Sequence, residues 1–203
     1  MTIQCIVFDL GKVLVDWDPR HLYRKLIADE AAMERFLTEI CTMEWHTEHD
    51  RGVSFKDNAD RLVARYPEHE ALIRAWGQRW PETIRQTIEG SVQLARRLMV
   101  NGYSVVGLTN CPDDGFDDLC AAWGIFEGFD DVVVSGREGL VKPDPAIFAL
   151  TCARAGHPPE AVAFLDDSLR NVEAAREFGI HAILFRDPEQ AEAELKALGV
   201  NTE

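Results

Sequence analysis

Ile3-Gln4-Cys5-Ile6-Val7-Phe8-Asp9-Leu10-Gly11-Lys12-Val13-Leu14 is the stretch on which the fold is decided. An apolar run of β-branched and aromatic residues predicts a strand of a parallel sheet, buried on both faces. The run stops on one carboxylate, Asp9, and Gly11 then lets the backbone turn sharply. In an open α/β sheet, ligands bind at the carboxyl ends of the strands, so Asp9 falls where a reacting group belongs. An acidic turn residue closing the strand would look the same on this stretch alone. The ends of the other strands decide between the two.

Working outward, Ser104-Val105-Val106-Gly107-Leu108, Asp131-Val132-Val133-Val134, Ala161-Val162-Ala163-Phe164-Leu165 and His181-Ala182-Ile183-Leu184-Phe185 read as further strands. Helical signals separate them. Ser91 reads as the cap of a helix ending at Asn101-Gly102, and Phe116, Leu119, Cys120 and Trp123 make one apolar face stopped by Gly124. Asp144-Pro145 heads a helix running to Gly156, another ends near Gly179, and Asp187-Pro188-Glu189-Gln190 opens a last one closing at Gly199. Strands alternating with single helices imply right-handed crossovers and a parallel sheet covered on both faces, an α/β fold.

One segment breaks the alternation. After the turn-rich Asp16-Trp17-Asp18-Pro19, residues 20 to 81 carry helical signals only. Met33, Phe36, Leu37 and Ile40 share one face; Ser54-Phe55-Lys56-Asp57 resembles a capping box whose helix continues through Leu62 and Tyr66; Ile73, Trp76 and Trp80 form a stripe ended by Pro81. A helical insertion in the alternating chain is expected here.

The chain has 203 residues, 46% of them hydrophobic, and a net charge of -14. That size fits one large domain or a core carrying an insertion. The acidic balance argues against nucleic-acid or anionic-membrane binding, which need a basic face. No run approaches the roughly 20 apolar residues of a membrane span, and no basic, apolar leader precedes the first strand. Five cysteines (Cys5, Cys41, Cys111, Cys120, Cys152) without CxxC spacing read as reduced thiols, so a cytoplasmic location is expected.

The strand ends repeat what the first one suggested. The second ends in Thr109-Asn110, Lys142-Pro143-Asp144 follows the third, and the fourth ends in Asp166-Asp167-Ser168. A carboxylate, a hydroxyl, an ammonium and a carboxylate pair thus gather at one rim. Crowded carboxylates resist joint ionisation unless a cation lies between them. Oxygen ligands from Asp9, Asp166 and a backbone carbonyl suit Mg²⁺.

Four motifs, Asp9-Leu10-Gly11-Lys12-Val13-Leu14, Leu108-Thr109-Asn110, Lys142-Pro143-Asp144 and Leu165-Asp166-Asp167-Ser168 with Asn171, resemble those of the haloacid dehalogenase superfamily. The resemblance covers nearly the whole chain. It implies a Rossmann-like sheet in the order 5-4-1-2-3 and a small helical cap inserted after the first strand. The expected division is a core of residues 1–17 and 85–203 with a cap of residues 18–84. It further implies Mg²⁺-dependent hydrolysis of a small phosphorylated metabolite through an aspartyl-phosphate on Asp9. In that reading Thr109 and the Asn110 backbone bind a phosphoryl oxygen, and Lys142 neutralises charge on the phosphoryl group and Asp9. Asp9, Asp166 and the Gly11 carbonyl hold the metal, Asp167 reaches it through a water, and Asn171 steadies the cluster.

The pattern breaks at one place. The usual second aspartate, two residues after the first, protonates the leaving group, and here Gly11 stands there. The Asp-Leu-Gly-x-Val variant is similar to a bacterial subgroup that includes glucose-1-phosphate phosphatases, and to the phosphatase domain at the head of epoxide hydrolases, which points to a sugar phosphate. A 2-haloacid dehalogenase, which needs no leaving-group acid, and a non-catalytic binding protein are the alternatives. Asp16 and Asp18 lie close along the chain to the missing acid but read as turn and cap residues. Lys12 reads as a solvated loop lysine. In the stretch Trp45 to Gly52, Trp45 is the candidate substrate contact, whereas His46 and His49 lack a third metal ligand and read as an exposed polar turn.

Overall fold

A computed structural model describes residues 2–203. Its sheet has five parallel strands: β1 (Cys5–Phe8), β4 (Ser104–Thr109), β5 (Asp131–Val134), β6 (Val162–Asp166) and β7 (His181–Leu184), ordered β5-β4-β1-β6-β7. Counted along the chain, this is the order 5-4-1-2-3 that the motifs implied.

Alternation along β1 divides the core. Ile6 and Phe8 pack on one face with Leu94 and Leu98 of α6 (Glu89–Val100) and Leu195 of α11 (Pro188–Ala197). Cys5 and Val7 pack on the other with Ile147 and Phe148 of α9 (Pro145–Ala155) and Val172 of α10 (Leu169–Phe178). Every residue of β1 is buried, which is why the strand carries no polar alternation. The remaining core helices, α7 (Phe116–Trp123) and the short α8 (Ser135–Glu138), follow β4 and β5.

Two short strands escaped the sequence reading. Leu10 O accepts from the backbone N–H of Val13, Leu14 and Val15, and this tight turn delivers the chain into β2 (Val15–Trp17). β2 pairs antiparallel with β3 (Ile84–Thr87). The chain leaves the core on β2 and returns on β3, and everything between is helical. The helices are α1 (Pro19–Tyr23), α2 (Glu30–Arg35), α3 (Met43–Asp50), α4 (Phe55–Val63) and α5 (Glu70–Gln78), with a π-turn at Phe36–Ile40.

Side-chain caps set several starts: Asp18 for α1, Asp29 for α2, Thr42 for α3 and Ser54 for α4. Ser91, expected as a cap, is instead buried within α6, which begins earlier behind Ile88. His46 and His49, expected on an exposed turn, lie buried on α3. Their neighbours are Trp17, Trp45, Trp76 and Trp80, and this aromatic company removes them from water. Among the described residues, no helix is long and apolar enough to cross a membrane.

Candidate active site

The parallel register brings the motifs together. Phe8 pairs with Leu165 on one side and Gly107 on the other, so Asp9, one residue on, lies beside Asp166 and the end of β4. Asp9 Oδ1 accepts from Leu10 N at 2.7 Å and lies 2.8 Å from Lys142 Nζ. Both contacts fall on Oδ1, leaving the lone pairs of Oδ2 for another partner.

Lys142 is 4% exposed and donates to Leu108 O at 3.1 Å and to Asp166 Oδ2 at 2.7 Å, besides its contact with Asp9. The Asn110 side chain sets its backbone: Lys142 N donates to Asn110 Oδ1 at 2.8 Å, and Asn110 Nδ2 donates to Lys142 O at 3.0 Å. Asp166 is wholly buried, and its oxygens accept from Ser168 N, Asn171 Nδ2 and Lys142. Oxygen atoms of Asp9, Asp166 and Asp167 lie within 4.8 Å of one another.

Burial pushes the Asp9 carboxyl up to about 7, against the pull of Lys142 and with the help of Asp166 and Asp167. Burial and Asp166 also raise Asp167, while Lys12 opposes them from 3.9 Å. Burial alone would lower Lys142, but Asp166 and Asp9 overcome it and hold the ammonium above its ordinary range. One buried cation, with the exposed Lys12 at the edge, faces three carboxylates. The cluster is short of positive charge, and a divalent ion among hard oxygens is what its chemistry accepts.

Asp9, Gly11, Lys12, Thr109, Asn110, Lys142, Asp167 and Asn171 line one cavity of about 270 Å³. Two expectations change here. Asp167, not Asp166, lines the cavity, because Asp166 lies beneath it with its oxygens committed to Lys142, Asn171 and Ser168. Trp45 lines a separate groove with Tyr66 and Leu62, its Nε1 donating to Asn58 O at 3.4 Å. The next residue of α3, His46, faces the Asp9 cavity together with Met43, Thr47 and Asp50, since one helical residue is a turn of about 100°.

Asp16 and Asp18 lie outside it. Asp16 is paired with Arg85 and His21, and Asp18 caps α1. Asp113 and Asp117 pair with Arg137, and Asp114 accepts from Phe55 N. Cys111 also lines the cavity, but burial raises its thiol well above the ordinary range, away from the thiolate that a nucleophile needs. A wider groove of about 590 Å³ passes over Lys56, Arg74, Asp114 and Asp118, whose carboxylates are exposed; it lacks the buried charge cluster.

The end of α3 is seated on the core by glycines. A Cβ on Gly52 would fall 2.8 Å from Gly136 O, and one on Gly136 would fall 2.6 Å from Asp113 N. These close approaches bring Asp50 over the loop that follows Thr109. Residue type alone gave no sign of that contact, although the spacing of His46 and Asp50, one helical turn apart, was visible.

The family profile described as "Hydrolase: haloacid dehalogenase-like hydrolase" matches residues 3–179. The chain belongs to the haloacid dehalogenase-like hydrolase family. Sesquiterpene phosphatase astK of Aspergillus oryzae is 27% identical over 203 residues, covering 97% of this chain and 97% of that protein. Drimenol cyclase drtB of Aspergillus calidoustus is 26% identical over 95% of this chain, which spans only 36% of that protein. The HAD family enzyme bt-2542 of Bacteroides thetaiotaomicron, in complex with magnesium and inorganic phosphate, superposes with a TM-score of 0.69 at 22% identity, covering 91% of this chain and 95% of that one. That likeness is one of fold.

Proposed function

We propose that this haloacid dehalogenase-like hydrolase is a Mg²⁺-dependent phosphatase acting on a small phosphorylated metabolite through an aspartyl-phosphate on Asp9. One observation carries the reading: Asp9, fixed through Oδ1 by Leu10 N and the buried Lys142, shares its cavity with Asp167 and its rim with Asp166. A carboxylate attacks phosphorus only when charge on both partners is screened. Lys142 screens Asp9 and, with its hydrogens already engaged, acts on the nucleophile more than on the ligand. Asp9, Asp167 and the Gly11 carbonyl would hold the ion, which supplies Lewis-acid stabilisation of phosphoryl oxygens when bound. Asn171 and Asp166 orient that edge, and Thr109 with the Asn110 backbone receives a phosphoryl oxygen. The helices of residues 18–84 act as a cap that closes the cavity from above and sets substrate choice.

The crowding of Asp166 and Asp167 beside Asp9 favours a cation-assisted reaction over dehalogenation at carbon. A sugar phosphate, with the anomeric 1-phosphate first, is the leading substrate. The cap-side wall of Trp17, Met43, Trp80 and Ile84 also suits an apolar group, and the full-length similarity to a protein named a sesquiterpene phosphatase supports including prenyl phosphates. The test is phosphate release over a panel of sugar 1- and 6-phosphates, prenyl phosphates and nucleotides, with Mg²⁺ and with EDTA. Release is expected to need Mg²⁺ and to vanish in Asp9→Asn; release that persists in that variant means another nucleophile.

A further inference from the structure

The cavity holds two polar side chains that the reading above leaves idle. His46 and Asp50, one turn apart on α3, are 3% and 6% exposed and line the same cavity as Asp9. His46 Nε2 lies 3.5 Å from Asp50 Oδ1, while His46 Nδ1 and Asp50 Oδ1 are buried without any hydrogen-bond partner. Buried polar atoms are nearly always paired, and an orphaned pair on residues that line a cavity calls for an explanation such as a catalytic role. His46 is held by aromatic rings, stacked on Trp17 at 5.5 Å and 24° and flanked by Trp80 at 5.3 Å and Trp76 at 5.2 Å between centroids.

Gly11 lines the same cavity. The position two residues after Asp9 has no proton to give, yet it is not sterically closed, since a Cβ there would meet only Trp17 Cβ at 3.9 Å. Trp17 is the residue on which His46 stacks. An acid is thus missing from the core side of the cavity, and an unpartnered acid stands on the helix facing it.

We propose that Asp50 is the proton carrier of this enzyme, with His46 as its positioning residue, in place of the acid absent at Gly11. The inference rests on the phosphatase reading above. As the Asp9 oxygen forms its bond to phosphorus, the Asp50 carboxyl gives its proton to the departing alkoxide, which leaves as an alcohol. In the second half, water attacks phosphorus and yields a proton to the Asp50 carboxylate, the bond from phosphorus to Asp9 breaks, and phosphate leaves. Both groups return to their starting states. Charge state agrees with the geometry: burial raises Asp50 to about 7, against Lys142 and Arg51, so both its acid and its base form are populated near neutrality, as a proton carrier requires. Burial, with His49, depresses His46 to about 3, so it stays neutral beside Asp50.

The test uses two phosphates of similar shape and very different leaving groups, benzyl phosphate and p-nitrophenyl phosphate, with the full chain and Mg²⁺. Asp50→Asn is expected to cut kcat for benzyl phosphate by about 10²–10⁴, the usual weight of a positioned acid. With p-nitrophenyl phosphate the same variant should give a burst of one nitrophenolate per enzyme followed by slow turnover, which also shows the variant to be folded. His46→Phe, which keeps a ring against Trp17, should lower kcat for benzyl phosphate with little change in KM. Adding Gly11→Asp to Asp50→Asn should restore benzyl phosphate turnover at least tenfold. Unchanged benzyl phosphate turnover in Asp50→Asn, or equal slowing of both substrates without a burst, overturns the assignment of Asp50 alone. A wild-type enzyme silent on both phosphates and on the whole panel overturns the phosphatase reading, and this inference with it.

Discussion

Lys142 carries three N–H bonds, and Leu108 O, Asp9 and Asp166 take one each. Replacing it with Met would leave two buried carboxylates without a counter-ion, a change that typically costs about 3–5 kcal/mol. Lys142→Met should therefore lose stability in urea titrations at pH 8, and lose less at pH 5, where protonation relieves the carboxylates. An equal loss at both values would mean that packing against Phe164, not charge, is what the lysine supplies. At this scale the sequence was most readable where strands end: Asp9, Thr109, Lys142, Asp166 and Asp167 were named from position alone and share one rim. It was least readable where the answer depends on the phase of a helix. Trp45 and His46 are neighbours in sequence, and only the seating of α3 decides which one meets the cavity.

Elements carry the next predictions. On α3, His49 Nδ1 donates to Val53 O at 3.2 Å and Nε2 accepts from Asn58 Nδ2 at 3.2 Å, partners that suit the neutral ring. Burial lowers its pKa to about 4 from an ordinary 6.5. Below pH 6.5 the unfolded chain thus gains a proton that the folded one refuses, so this group's contribution falls as pH drops toward 4, by up to about 1.4 kcal/mol per unit. Asp50 acts in the opposite sense, because a raised carboxyl loses its contribution as pH climbs toward 7. His49→Gln removes the first effect only, so denaturation between pH 4 and 6.5 should show stability rising less steeply with pH than in the wild type. An unaltered slope would show His49 to be titrating normally.

On β4, a Cβ at Gly107 would fall 2.6 Å from Phe126 Cε1 and 3.0 Å from Val132 Cγ1. Gly107→Ala should cost about 1–3 kcal/mol, and a neutral result in urea would mean that the Phe126 ring retreats freely. The strands of the sheet were legible because each is an apolar run bounded by turn residues. β2 and β3 were not, since Val15–Trp17 and Ile84–Thr87 are short, partly exposed and mixed in composition, and they exist because they pair with each other. The helix start misplaced at Ser91 has a similar cause: α6 begins without a side-chain cap, so there was no signal at its true head.

Over the whole molecule the net charge is -14, and three of its carboxylates crowd within 4.8 Å of one another at the rim. A cation that binds there selectively stabilises the folded state by mass action. With Mg²⁺ at about 100 times its Kd, melting should rise by on the order of 5 °C, and NaCl of equal ionic strength should not reproduce the shift. Asp167→Asn should remove most of it; a full shift in that variant would place the ion elsewhere on the acidic surface. The expectation that nucleic acid is not a partner rests on the same charge and came from composition, whereas substrate choice was not legible there. In the proposed reading it depends on a wall assembled from β2, β3 and α3, elements distant in sequence until the insertion folds back over the sheet.

The bonding of Lys142 also makes it a built-in reporter. A free amine attacks an acylating reagent through its lone pair, and Lys142 Nζ, held as an ammonium by Leu108 O, Asp9 and Asp166, has none to offer. Lys12 and Lys56 are open to solvent and set the baseline of labelling. A peptide map after brief acetylation would therefore read the integrity of the rim from a single lysine, whichever substrate the enzyme takes.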